Sequence, residues 1–505
     1  MRARFFEQDV EFLPLPRSAI SFLDRFPYDK ALYLLLTTSL VFAGFYHWFY
    51  DDPFITYRFA ENLMHGLGFV YNPGQRVLST TTPLFTILLA LGGSLWSDLP
   101  HLAILLGAFG LGLGGLFLWE LGRAWKTPVA GWTGLLLYPT FPLLLRVLGS
   151  EMPLAIAFCL GTLVFYVRQR YHLMAAFAAL AILIRPDSVL VPIILASHYL
   201  LTIRRPIPWV SFALLDSLIL PWFLFAWLYF GSPLPATLAA KQHQGTMAIS
   251  QGFGHGLLTI AQGTLNDWEY WLEGLLAALG VLFMVRRARP WTIVVVWAVI
   301  YFLAYSVLAV SRYYWYYAPL VPAFIAMAGL GVASLKDLRS LTSRVTLFRT
   351  LAIVLLFLLA IGQLSDLRQL RQLPDDRFRV YRAIGEWLGS NSPSQATIGT
   401  LEVGIIGYYA ERPMIDFAGL IQPDVAAQFT PNATYEDAAL WAVAHYHPDY
   451  LVLHDKLFPR LEDGYVRQNC VPVRHFPGVL YGYSADMSVY ACPRPGSKLP
   501  FQQDS

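Results

Sequence analysis

The sequence predicts an all-α membrane domain that crosses the bilayer about eleven times and carries interfacial helices, followed by a small α/β domain outside the cytoplasm. Three observations lead there. Of 505 residues, 56% are hydrophobic and only 14% charged, where a soluble chain carries about a quarter charged residues. Apolar runs able to cross a hydrocarbon core of about 30 Å recur over residues 31–363. Beyond that point, charges, prolines and short alternating stretches replace them.

The apolar segments are 31–50, 83–97, 101–121, 129–147, 152–167, 173–184, 187–202, 208–230, 270–285, 291–310, 315–333 and 347–363. Counting all of them as crossings would put Arg123 and Lys126, Arg168 and Arg170, and Arg204 and Arg205 outside. Cytoplasmic loops should hold the excess of basic residues. Demoting segment 83–97 restores that bias, because its 15 residues reach only about 22 Å as a helix. It opens with Thr82-Pro83, a helix-start signal after Ser79-Thr80-Thr81. The segment is therefore expected to lie at, or dip into, the outer interface. The basic clusters at 123–126, 168–170, 204–205, 286–289 and 336–349 then become cytoplasmic, together with the N-terminal Arg2, Arg4, Arg17 and Arg25. The first segment reads as an uncleaved signal anchor, and the expected location is a cell membrane with the C-terminal domain outside.

Residues 1–364 form the expected membrane domain, with 51–100 its first outward loop, and residues 365–505 the soluble one. In the latter, Asp376–Leu388 and Tyr435–His445 look helical, while Ala396–Leu401, Pro413–Phe417 and Tyr450–Leu453 look like strands. Cys470 and Cys492 leave two readings open: a disulfide if the region is outside the cytoplasm, or two free thiols. A net charge of +3 without a basic cluster argues against a nucleic-acid partner.

The first outward loop holds most of the chemistry. Asp52-Pro53 starts a helix in which Arg58, Glu61, Asn62 and His65 share one face and Ile55, Phe59 and Leu63 another, as in a helix lying on the membrane surface. Asp52 is explained as its cap. Asp51 is not, and a second carboxylate beside the first is costly at a membrane boundary unless solvated or used. Asp51 is therefore the expected general base. Glu151, at an outward helix end in Ser150-Glu151-Met152-Pro153, is either another helix cap or a second acid facing that site. Arg185-Pro186-Asp187 reads as a structural ion pair at a further outward end. Lys241 and His243 lie in the second large outward loop, and Arg312-Tyr313 opens an aromatic run through Tyr317. The aromatics read first as an interfacial belt. A lone Arg312 there suits a lipid phosphate, with Lys241 as an added point charge. No His/Cys cluster has metal-ligand spacing. Gly110-Leu111-Gly112-Leu113-Gly114-Gly115 follows no strand and reads as a helix-packing surface.

The acidic pair after the first membrane helix, the two interfacial helices and the polytopic core resemble the GT-C superfamily of membrane glycosyltransferases. Asp51 to Ala60, with Gly66, Gly68-Phe69-Val70-Tyr71-Asn72-Pro73-Gly74, is similar to the loop of bacterial members like the mycobacterial terminal arabinofuranosyltransferases. Arg312-Tyr313 and Gly404 to Tyr409 with Arg412-Pro413 resemble further bacterial relatives, whereas Ser79-Thr80-Thr81-Thr82 departs from the family's longer polar motif. The resemblance implies an inverting transfer on the outer face, from a sugar on polyprenyl phosphate to a glycan, lipid or protein acceptor. It implies Asp51, Asp52 and Glu151 as catalytic residues. Arg58, Lys241, His243, Arg312 and Tyr313 are the expected substrate-binding set, with no metal ligand and no firm cofactor. Membrane lipid is an expected partner. A transporter or flippase for lipid-linked saccharides is the competing expectation, and a glycan-binding sensor a third.

Overall fold

A computed structural model of the chain describes residues 27–203, 206–247, 250–263, 267–335, 345–372 and 375–493. The basic residues Arg2, Arg4, Arg17, Arg25, Arg204 and Arg205, and most of the 336–349 cluster, lie outside the described residues.

Every apolar segment becomes helical. The first helix, Pro27–Gly44, stops short of the expected 50 and leaves an irregular stretch before Asp52–Met64 and Pro83–Gly93. The last of these has 11 residues and covers about 16 Å, too short to cross. Among the described residues, six helical stretches have the length and apolar character of membrane spans: Leu99–Ala124, Pro128–Arg146, Trp209–Phe230, Arg289–Val307, Tyr314–Ser334 and Leu347–Arg371. Met152–Val167, Tyr171–Ile184 and Pro186–Thr202 are shorter apolar helices. The stretch expected at 129–147 is broken, with Pro128–Leu137 followed by Pro142–Arg146, because Pro142 cannot continue the preceding hydrogen-bond ladder.

Small residues let the helices approach. Gly110 packs against the backbone of Pro153 and Leu154, so a Cβ there would collide with the opposite chain. The glycine run at 110–115 is thus a packing surface. Glu120 gathers Lys30 (2.7 Å), Arg123 (3.5 Å) and Arg168 at one end of the bundle. Helix Met152–Val167 separates Arg168 at its finish from Glu151 at its start, so the basic cluster and the acidic loop residues occupy opposite ends.

The C-terminal part holds strands β1 (Ile398–Thr400), β2 (Met414–Asp416), β3 (Tyr450–His454), β4 (Val471–Phe476) and β5 (Met487–Ala491). They form one sheet in the order β2-β1-β3-β5-β4, in which β1, β2 and β3 are parallel and β4 and β5 join antiparallel. Helices Arg377–Asn391 and Tyr435–Tyr446 accompany it. A capping box in which Thr434 and Asp437 exchange hydrogen bonds starts the second of these helices. Cys470 and Cys492 form a disulfide, which resolves the two readings left open by the sequence. The hydrophobic core runs without a break from Phe54, Tyr57 and Phe59 of the first loop to Ile384, Ile398 and Ile405, so the loop and the C-terminal sheet pack as one body.

Candidate functional site

The first loop is held in place by its own polar residues. Asn62 donates to the carbonyls of Val70 (2.9 Å) and Tyr71 (2.7 Å), which folds 65–72 back over helix Asp52–Met64. Tyr57 donates to Gly149 O at 2.6 Å, tying that helix to the residues just before Glu151. The side-chain amide of Asn72 then pairs with the β2 edge: its Nδ2 donates to Met414 O (2.8 Å) and its Oδ1 accepts from Met414 N (2.9 Å).

This framework separates the two adjacent aspartates. Asp51 is buried and accepts from Gly404 N (3.2 Å) and Ile405 N (2.7 Å), the first amides of helix Ile405–Ala410. The glycine at 404 permits this, since a Cβ would run into the Asp51 backbone and carboxylate. Burial raises the Asp51 pKa to about 6 against the bond from Ile405 and the charge of Arg377, with Asp52 raising it further. Asp52 instead faces a cavity of about 360 Å³, a size typical of small-molecule sites. Its carboxylate meets Lys241 Nζ at 3.3 Å.

The aspartates thus exchange the places expected of them. Asp51 caps another helix rather than facing the cavity. Asp52 begins its own helix, and no side-chain cap bond forms there. Pro53 makes such a cap dispensable, because it has no amide proton to satisfy.

Lys241 comes from helix Ala236–Thr246 and sits over the rings of Tyr313 (4.1 Å), Trp315 (5.1 Å) and Tyr316 (5.9 Å). Burial works against its charge, but the charge and hydrogen bond of Asp52 hold its pKa above the ordinary lysine value. The cavity's other charged wall is Arg185. It donates to Glu151 Oε1 (2.6 Å), to Asp187 Oδ2 (2.7 Å) and to the Tyr305 hydroxyl (3.1 Å). Glu151 therefore faces the cavity with Asp52 and not Asp51, and it caps nothing. The local capping is done by Ser150, whose hydroxyl accepts from Met152 N at 3.3 Å.

The remaining expected residues lie off the cavity wall. Arg58 is buried and pairs with Glu61 at 3.4 Å, one turn along its helix. His243 meets Ala426 O at 2.9 Å, and Gln244 donates to Ala418 O at 2.8 Å, so this face of the helix docks on the loop and short helix that follow β2. Arg312 is exposed. Tyr313 supports the site indirectly: it lies under Lys241 and donates to Gln244 Oε1 at 3.0 Å.

Sequence reasoning missed two groups. Arg185 and Asp187, read as a structural pair, line the cavity, and only their position at an outward helix end signalled this. Behind Asp51 lies a second acidic group with no sequence signal at all. Arg377 pairs with Asp375 (2.7 Å) and Glu402 (3.7 Å). Burial and the nearby Asp51 raise Glu402 to about 8, against the pull of Arg377. Asp416 is likewise raised to about 7 by burial, although Ala418, Leu420 and Ile421 donate to it. Among the described residues one group, Asp455, His475 and Asp486, brings three ligand-type atoms within 4.8 Å. It is half-exposed, pairs internally, and lies away from the cavity.

A family model described as "Domain of unknown function (DUF8728)" matches residues 368–490, the region of the C-terminal sheet. No curated protein matches the chain. Solved structures resemble it over nearly its whole length. ArnT from Cupriavidus metallidurans bound to undecaprenyl phosphate is 14% identical with a TM-score of 0.60, covering 91% of this chain and 97% of its own. The Archaeoglobus fulgidus oligosaccharyltransferase AglB, in complex with an inhibitory peptide and a dolichol-phosphate, is 13% identical with a TM-score of 0.53, covering 95% and 76%. The mycobacterial arabinofuranosyltransferase AftD is 14% identical at 0.53, covering 93% of this chain but 40% of its own. These three are members of the GT-C superfamily. The chain shares their fold, as the acidic loop after its first helix leads one to expect.

Proposed function

We propose that the protein is an integral membrane glycosyltransferase that moves a sugar from a polyprenyl-phosphate donor to a glycan, lipid or protein acceptor on the outer face of the membrane. The observation that carries this reading is the cavity in which Asp52 and Lys241 meet at 3.3 Å beside aromatic rings. Two of the fold relatives were solved with a polyprenyl-type phosphate, undecaprenyl phosphate or dolichol-phosphate. In the reading favoured here, Asp52 takes the proton of the acceptor hydroxyl. The hydroxyl oxygen bonds to the anomeric carbon as the bond from that carbon to the phosphate oxygen breaks. Polyprenyl phosphate leaves with the electron pair, and a single displacement inverts the centre. Lys241 stabilises the charge growing on the phosphate, and general-base help contributes about 10²–10⁴-fold.

Asp51 is assigned a positioning role, because its oxygens are taken by Gly404 and Ile405. Glu151 and Asp187 hold Arg185 as part of the cavity wall. We further propose about eleven crossings, a division near residue 364, and an orientation with the Glu120 cluster cytoplasmic and the cavity outside. The Cys470–Cys492 disulfide supports an oxidising location for the C-terminal part. A transporter for lipid-linked saccharides would need functional polar groups near mid-membrane; here Asp52, Glu151 and Arg185 sit at helix ends. The test is transfer from radiolabelled polyprenyl-phosphate sugars in membranes holding the chain or its Asp52→Asn variant. Transfer lost only in the variant supports the reading. Equal transfer by both refutes the role of Asp52.

A further inference from the structure

We infer that the wall of the cavity formed by Ser79 and Thr237 recognises a neutral, hydroxyl-rich sugar ring on the lipid-linked donor, in preference to a uronic acid. This rests on the reading of the cavity as a donor site. Thr56, Thr80 and Thr82 line the same wall and satisfy one another, with Thr80 and Thr82 hydroxyls 3.0 Å apart and Thr56 and Thr82 hydroxyls 3.5 Å apart. The hydroxyls of Ser79 and Thr237 are buried and find no hydrogen-bond partner among the described residues. Buried polar groups are ordinarily paired, and leaving one unpaired is costly. Two such groups on one cavity wall point to partners supplied by a ligand.

Their positions agree. Ala236 N donates to Leu78 O at 2.8 Å, which joins the two segments one residue before Thr237 and Ser79. Thr237 and Lys241 stand four residues apart on helix Ala236–Thr246, so they share a face about 5–6 Å apart at Cβ. A sugar contacting Thr237 therefore lies within reach of Lys241, and its phosphate can be held there. The charged wall carries three carboxylates, Asp52, Glu151 and Asp187, and two cations, Arg185 and Lys241. Arg185 is held by Glu151, Asp187 and Tyr305, and Lys241 is assigned to the phosphate. A carboxylate on the sugar would therefore meet an excess of negative charge and no free cation.

The experiment measures binding to the full chain in detergent. The probes are undecaprenyl phosphate alone and its esters of a neutral pentose, a neutral hexose and a hexuronic acid. A neutral sugar should bind several-fold tighter than the bare lipid phosphate and tighter than the hexuronic acid. In the Ser79→Ala/Thr237→Val double variant that margin should shrink about 3- to 10-fold. Affinity for the bare lipid phosphate should stay unchanged, and the melting temperature of the unliganded chain should not fall. Tighter binding of the hexuronic acid ester overturns the inference, and so does a margin the variant leaves intact. A lowered melting temperature overturns it too, by giving the hydroxyls a structural role. If the bare lipid phosphate does not bind, the donor-site reading fails and the inference with it.

Discussion

Asp51 and Asp52 are neighbours in the chain and opposites in the structure. Asp51 turns into a seam between the first loop and the C-terminal sheet, where backbone amides take both its oxygens. Asp52 turns into the cavity, where its partner is a cation held over aromatic rings. One carboxylate joins two parts of the molecule and the other lines a cavity, paired with Lys241. Adjacent acids thus need not form a pair, because a helix start rotates successive side chains by about 100° and sends them to different surroundings.

The largest expected effect separates these roles. Asp52→Asn should lower transfer by about 10²-fold or more while leaving the chain folded in the membrane, as read by transfer rate and melting temperature. Lys241→Met should come next, with a loss of about 10²-fold in kcat that a changed acceptor concentration does not recover. A loss confined to the acceptor KM would instead place Lys241 at the acceptor. Asp51→Ala should mainly weaken the seam, by about 1–3 kcal/mol, since two buried amides lose their acceptor. Hydrogen exchange at residues 404–410 would then quicken more than transfer slows.

The seam should also respond to pH. Burial makes the protonated forms of Asp51 and Glu402 more favourable in the folded chain than in the unfolded one. Their contribution is therefore greatest at low pH. It is lost as pH rises through about 6 for Asp51 and about 8 for Glu402. Exchange protection at 404–410, corrected for intrinsic rates, should fall between pH 5 and about 8, and a rise over that range would contradict the assignment. The smallest effects belong to Arg312 and His243, which lie off the cavity. Alanine at either should change transfer by no more than a few-fold, consistent with surface and docking positions.

Much of the fold was legible because apolar runs and their flanking charges report membrane helices directly. The short segment at Pro83 was separable by length alone. The strands at 398, 414 and 450 were legible from alternation. The site was legible in part. Asp51, Asp52, Glu151 and Lys241 stood out because charge at an outward helix end needs a reason. Which aspartate faces the cavity was not legible, because that depends on Gly404 and Ile405, more than 350 residues away. Arg185 was recognised as paired to Asp187, but its bond to Glu151 and its place on the wall depend on how three helices pack. That Arg312 lies exposed and off the cavity was not legible, because an arginine among aromatics has the same local pattern whether or not it turns inward.

The most direct test compares Asp52→Asn and Asp51→Asn in one transfer assay at matched amounts of folded protein. The account predicts transfer reduced by about 10²-fold or more for Asp52→Asn, with most of it retained for Asp51→Asn. The reverse order would contradict it and return the role of base to Asp51.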